Sequence, residues 1–202
     1  MLRHAALVAT EEPKGIRIAA MVVREYIDLF ERRGVMEKIR PKMSPALSAF
    51  VAHPPLPIVW VDGDLFYELL GEAGEATSYD AIRQFAVEHT SQQIGPKVLP
   101  MLKALLRLWG ATPATIFKNL GSVTSVQSKG TRFTYTPETE SSGVIELDPG
   151  KVVNPYVYAG WEGILLFAYE VAGVRGELGR TQLIDGGRRG RLSARWFPEE
   201  KR

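Results

Sequence analysis

One stretch constrains the fold of this chain more than any other, and it runs from Asn154 to Gly173. Asn154 is suited to cap a helix, because its side-chain oxygen accepts from an N–H of the first turn. Pro155 fits the first helical position, where no N–H bond is lost. Gly173 can take the left-handed conformation that ends a helix. Between these signals only Glu162 and Glu170 are charged, and a helix apolar on nearly all sides is a buried one. At 1.5 Å per residue the segment spans about 27 Å, close to a bilayer core. Its two charges, its internal Gly160 and Gly163, and the hairpins on either side point instead to a helix packed on a sheet. The two glycines then allow close backbone approach.

The flanking segments have the period of strands. Thr131 to Thr136 alternates and is rich in β-formers, and Val144 to Leu147 follows after a loop from Pro137 to Gly143. Beyond the helix, Glu177 to Ile184 and Arg189 to Phe197 form a second hairpin across Asp185-Gly186-Gly187-Arg188. In the last strand Leu192, Ala194 and Trp196 face one way, and Arg189, Arg191, Ser193 and Arg195 the other. Such a strand has one side on a core and one in water. A single helix crossing between two hairpins lets all four strands join one antiparallel sheet.

Before residue 121 the period is helical. Ile16 to Arg33 reads as a helix stopped by Gly34, with Ile16, Ala19, Ala20, Val23, Tyr26, Ile27 and Phe30 on one stripe. Ile18, Val22 and Leu29 widen that stripe beyond one packing face: the plain reading is a helix buried between two neighbours, and the sharper one makes these three residues a dimer or partner surface. Val35–Arg40 reads as a short helix, Ser44-Pro45 opens another to His53, and His53-Pro54-Pro55-Leu56-Pro57 is a rigid connector. Helices follow from Leu65 to Ala73 and, after a loop from Gly71 to Thr77, from Tyr79 to Ile94 with Ser78 as cap. Lys97–Trp109 continues helical, and Thr112-Pro113 starts a segment ending near Gly121. The fold class is α+β: an N-terminal helical layer packed on a four-stranded antiparallel sheet, made of two hairpins joined by a buried crossover helix. Residues 1–14 are expected as a flexible N-terminus, 15–197 as a single domain and 198–202 as a tail.

Composition narrows the chemistry. There is no Cys, which excludes disulfides, thiolate metal sites and Cys nucleophiles and fits a reducing compartment. The N-terminal apolar run is too short for a signal peptide, and a cytoplasmic location is expected. A net charge of +2 gives no general pull toward nucleic acid. From Gly173 onward eight basic residues oppose four acidic ones, so this end carries +4 and the remainder −2.

The order of elements resembles a known ligand-binding fold. It is shared by haem–nitric-oxide-binding domains, four-vinyl-reductase-type sensor domains and TRAPP transport subunits. Within it, the chain is similar to a large paralogous family best known in myxobacteria. The Tyr79–Ile94 helix with its Gly95-Pro96 break carries the resemblance, as do Leu106-Arg107-Leu108-Trp109-Gly110, the Asn154-Pro155 helix start and Arg195-Trp196. It covers about residues 60–197. It implies a cavity between helical layer and sheet, or helices used to dimerise. Fold by itself confers no function.

Candidate chemistry is sparse. The resemblance invites haem, and His89 shares a helix face with Ile82, Phe85 and Ala86. Haem-binding relatives pair their His with a Tyr-x-Ser-x-Arg stretch that this sequence lacks, so no cofactor is expected, and a lone His on an apolar face reads as a hydrogen-bonded core residue. Asp62-Gly63-Asp64 offers too few oxygens for a hard cation and is better read as a helix cap. No metal is expected. Glu162 and Glu170 lie about 12 Å apart along the helix axis, too far to act on one bond. Each is expected to meet an Arg of the last hairpin or to reach solvent. No Gly-x-Ser-x-Gly, phosphate loop or dinucleotide fingerprint occurs. Arg188, Arg189, Arg191 and Arg195 form a basic surface, whose bland reading is a solvated turn and strand face.

The aromatic residues around the central helix are the expected ligand pocket: Trp109, Phe117, Tyr158 and Trp161, with Leu165. The sequence thus predicts a non-enzymatic cytoplasmic sensor or adaptor. It would bind a small apolar ligand or a partner protein, as a homodimer, without membrane or nucleic acid. The alternative is an interaction module with a filled core and no ligand.

Overall fold

The structure is a computed structural model that describes residues 15–94 and 112–197. The chain begins with strand β1 (Arg17–Ala19), helix α1 (Ala20–Arg32), α2 (Val35–Ile39) and α3 (Pro45–Ala52). Strand β2 (Trp60–Asp62) leads into α4 (Gly63–Ala76) and α5 (Tyr79–His89), which widens into a π turn over Thr90–Ile94. Next come α6 (Pro113–Lys118), α7 (Leu120–Thr124), β3 (Ser128–Lys129) and the hairpin β4 (Arg132–Thr139) and β5 (Ser142–Asp148). Then α8 (Pro155–Ala172) precedes β6 (Arg175–Leu178), β7 (Gln182–Ile184) and β8 (Arg189–Phe197). The class is α+β, and the helix expected over Lys97–Trp109 lies outside the described residues.

The antiparallel sheet runs β4-β5-β8-β6, with β7 also on β8. Its inner face carries Ile145 and Leu147 of β5, Leu178 of β6, and Leu192, Ala194 and Trp196 of β8, all buried. Helix α8 packs on that face, and α5 packs on α8 from the other side. The Cβ of an alanine at Gly163 would lie 2.4 Å from the Arg83 carbonyl and 2.5 Å from Ala86 Cβ. The close approach that this glycine permits is therefore to a helix and not to the sheet. At Gly160 the same atom would find only an ordinary contact with Leu70, at 3.7 Å.

Local signals place α8 as expected. Asn154 Oδ1 accepts from Val157 N at 3.3 Å, and its Nδ2 donates to the Tyr67 carbonyl at 2.6 Å, tying α8 to α4. Gly173 ends the helix at φ +67.

Five expectations are corrected by the structure. Arg17–Ala19 are strand and not helix: Ile18 pairs with Val61 of β2 and Ser128 of β3 in a three-stranded sheet. Gly71 and Gly74 are helical and not loop. A Cβ at Gly74 would lie 2.2 Å from the Tyr156 ring, so glycine there allows α4 to meet the start of α8. Pro137 lies within β4, on the outermost strand, where a missing N–H is tolerated. The single strand expected over Glu177–Ile184 is two, β6 and β7. Gly179 still bonds Ser193, but the Thr181 N–H turns inward to Glu162.

The fifth concerns Ile18, Val22 and Leu29, expected on a contact face. They are 3%, 5% and 2% exposed. The apolar side of helix α1 is covered within the chain, with Phe30 against Phe85 at 5.5 Å and Tyr26 against His89 at 4.6 Å. Glu25, Arg32 and Gln92 crowd around Leu29. The wide stripe is consumed by intramolecular packing.

Candidate functional site

Helix α8 presents Trp161 to β4, where its ring meets Phe133 edge-on at 5.0 Å. Trp161 also walls a cavity of about 30 Å3, together with Ile18, Val22, Tyr67, Leu70 and Ser128. Leu165, one turn on, walls a second cavity of about 40 Å3 with Thr90, Ile116, Leu120 and Phe167. Gln127 and Ile164 belong to both walls. Among the described residues that form them, none is Asp, Glu, Lys or Arg, and His89 is on the first wall.

The remaining expected pocket residues are placed otherwise. Phe117 is enclosed by Tyr135 and Tyr169, each at 5.7 Å, and by Trp196 at 6.2 Å, and walls neither cavity. Tyr158 lies against Gly190 and donates to the Gly187 carbonyl at 3.3 Å. Trp109 lies outside the described residues.

Three hydroxyls on the cavity walls were not singled out from the sequence. Tyr67 and Ser128 stand on the first cavity and Thr90 on the second; they are 5%, 8% and 2% exposed. None of the three hydroxyl oxygens has a well-formed hydrogen bond. Tyr67 and Thr131 interact closely enough to affect the phenol, but without good alignment. Burial raises the Tyr67 pKa above its ordinary value, which keeps it a neutral donor. A tyrosine inside the apolar stripe Phe66, Leu69, Leu70, Ala73 is the sequence signal that could have marked it.

Glu162 occupies a separate polar cluster. At 1% exposed, it accepts from Tyr79 Oη at 2.5 Å and from Thr181 N at 2.6 Å, both on Oε1. Arg83 Nε stands 3.2 Å from Oε2, an ion pair without hydrogen-bond alignment. Its cationic partner is thus on α5 and not on the last hairpin. Burial first, then the nearby Glu162 carboxylate, pushes the Tyr79 hydroxyl well above its usual range. Arg180 caps the Tyr79 ring at 4.2 Å. Glu170 is exposed and accepts from Ser91 Oγ at 3.0 Å.

The other candidates resolve into structural roles. Asp62 caps α4 by accepting from Asp64 N at 2.9 Å, and Asp64 pairs with Lys151. Among the described residues no group of three or more His, Cys, Asp or Glu could hold a metal ion. Buried His89 has its Nε2 2.9 Å from Glu25 Oε2. Arg189 pairs with Asp185 and, at 3.2 Å, with Glu146, while Arg191 Nε lies 3.4 Å from the same Glu146. Arg188 and Arg195 are exposed. No helix among the described residues is long and apolar enough to cross a membrane.

Comparison with protein-family models and with curated proteins finds no match. Solved structures do resemble the chain, and they are H-NOX domains. The Fe(II) unliganded H-NOX protein from K. algicida aligns with a TM-score of 0.68 at 15% identity, covering 90% of this chain and 98% of that one. A Cs H-NOX mutant with 4-cyano-L-phenylalanine at site 5 gives 0.61 at 12%, covering 89% and 96%. A point mutant of T. tengcongensis H-NOX gives 0.55 at 12%, covering 89% and 97%. The chain therefore has the H-NOX fold; at these identities the likeness speaks for the fold alone.

Another of these structures probes the function of haem distortion in the H-NOX family, which raises the question of fit. Pockets for cofactor-sized ligands run to roughly 300–1,000 Å3, against about 30 and 40 Å3 for the two cavities beside α8, and a space of about 640 Å3 is an open cleft bordered by Glu138, Arg180, Gln182 and Arg191, with no histidine among its described residues. The buried histidine is already engaged by Glu25 and Tyr26. Phe133, facing inward from β4, fills the space against Trp161. The described residues do not fit a haem.

Proposed function

We propose that this chain is a non-enzymatic sensor or adaptor domain that binds a small apolar molecule beside α8, without haem. The observation that carries this is the pair of cavities flanking Trp161 to Leu165, mostly apolar and free of Asp, Glu, Lys and Arg side chains. Apolar walls with a few convergent polar groups are the usual make-up of a small-molecule site. No described constellation passes the test of roles and geometry for catalysis, since Glu162 is spent on holding elements together. Native mass spectrometry of protein purified from its own host tests the reading. A bound small molecule, released on unfolding, is expected. Protein that carries no ligand and gains no thermal stability from any apolar compound refutes it.

The small size of the cavities favours a second reading, an interaction module with a filled core. Its contact surface would exclude Ile18, Val22 and Leu29, which are buried. Exposed Leu56, on the proline-rich connector, and Ile58, just after it, are better placed for such a role.

A further inference from the structure

We propose that the two cavities are one ligand site, divided by the side chains of Gln127 and Ile164, and that its ligand is a short, neutral, mostly aliphatic molecule with a hydroxyl or carbonyl group. This rests on the reading of the chain as a ligand-binding domain and names the ligand class.

The division follows from the shared wall. Gln127 and Ile164 border both cavities. Ile164 is β-branched and helical, so its χ1 is held in essentially one well. Gln127 lies outside regular structure, just before β3, and its backbone is anchored: its carbonyl accepts from Ala19 N and its N–H donates to Thr124 O, both at 2.9 Å. Its long side chain is the part free to change rotamer, and moving it joins the two spaces while the fold stays in place.

The ligand class follows from what faces the space. A charged ligand would enter a site whose walls carry no Asp, Glu, Lys or Arg and whose one histidine, His89, is already held by Glu25, at a large desolvation cost. A pure hydrocarbon would leave the Ser128 and Thr90 hydroxyls without partners and the Tyr67 hydroxyl with only its poorly aligned contacts to Thr131 and Trp161, each at a cost that a ligand oxygen removes. Tyr67 and Ser128 belong to one wall and Thr90 to the other, with their oxygens buried just behind the surface, so a molecule lying along α8 reaches a polar group at either end once these side chains turn toward it. Volume sets the length. An engineered cavity of about 150 Å3 takes benzene, and the two spaces of about 30 and 40 Å3 approach that size only when Gln127 swings aside.

The test uses the whole chain with three probes: pentan-1-ol, benzene as the probe without a hydroxyl, and pentanoate as the charged one. Thermal shift and Trp fluorescence, to which Trp161 contributes from the wall, report binding. Pentan-1-ol is expected to bind and pentanoate not. Gln127→Ala should tighten pentan-1-ol by removing the partition. Tyr67→Phe with Ser128→Ala should weaken pentan-1-ol about fivefold, as expected for a lost neutral hydrogen bond, and leave benzene unchanged. Equal binding of pentanoate, or pentan-1-ol affinity unmoved by the Tyr67 and Ser128 changes, overturns the ligand class while the apolar site stands. An affinity unmoved by Gln127→Ala overturns the single divided site. If no probe binds either the natural chain or the Gln127→Ala variant, the site falls, and the proposed function with it.

Discussion

Glu162→Ala is the sharpest test of how the sheet is held to the helices. The side chain joins three elements: Tyr79 and Arg83 on α5, α8 itself, and the Thr181 N–H where the edge strand breaks. Removing it leaves the Tyr79 hydroxyl and the Thr181 N–H without an acceptor. Each unsatisfied donor costs about 1–3 kcal/mol, and breaking a buried pair costs about 3–5 kcal/mol in total. Arg83 is 30% exposed and can turn to water, so its own loss is discounted. A loss of about 4 kcal/mol lowers Tm by about 8–16 °C in a chain of this size. Glu162→Gln keeps an oxygen for both donors and loses only the charge facing Arg83, so it should cost about 1 kcal/mol. Urea unfolding followed by circular dichroism measures both variants, and amide exchange at Thr181 reports the local bond. Equal destabilisation by Gln and Ala would refute the reasoning, because the ion pair and not the two hydrogen bonds would then hold the junction. A loss below about 1 kcal/mol for Ala would refute the anchoring role altogether.

Alkaline pH supplies a second prediction. Burial raises the hydroxyl pKa values of Tyr26, Tyr79 and Tyr169, and pushes Tyr158 up to about 12. Above the unfolded tyrosine value, near pH 10, the folded state holds more protons than the unfolded one, so stability falls as pH rises from there and is constant below. Absorbance at 295 nm should show these phenolates appearing together with unfolding; independent titration in folded protein would contradict it. Gly163→Ala should cost at least about 1–3 kcal/mol by forcing α5 away from α8, read as a lower urea midpoint; an unchanged midpoint argues against the contact. Asn154→Ala removes both the cap and the tie to the Tyr67 carbonyl, and should cost about 1–2 kcal/mol in the same assay. Val22→Glu should unfold the chain, because the residue is interior. A folded variant of altered mass in light scattering would show a contact face instead.

What the sequence determined by itself is local. Ser44, Ser78, Thr112 and Asn154 each accept from an N–H three residues on, a bond made within one turn and readable from neighbouring residues. The alternation of β8 and the left-handed end of α8 at Gly173 were legible for the same reason. The α+β order followed from the change of period. Tertiary structure decided whatever depends on a partner far along the chain. Gly74 sits inside a helix without a side chain because the Tyr156 ring takes that space, and no nearby residue reveals that. The wide stripe of α1 reads alike whether a second subunit or this chain's own α5 covers it. Glu162 was recognisable as a buried charge, but its partners lie on α5 and at the break between β6 and β7. The cavities are the extreme case. They are what packing leaves over between Trp161, Tyr67, Gln127 and Ile164, and a remainder of that kind exists only once α1, α4, β3 and α8 are in place.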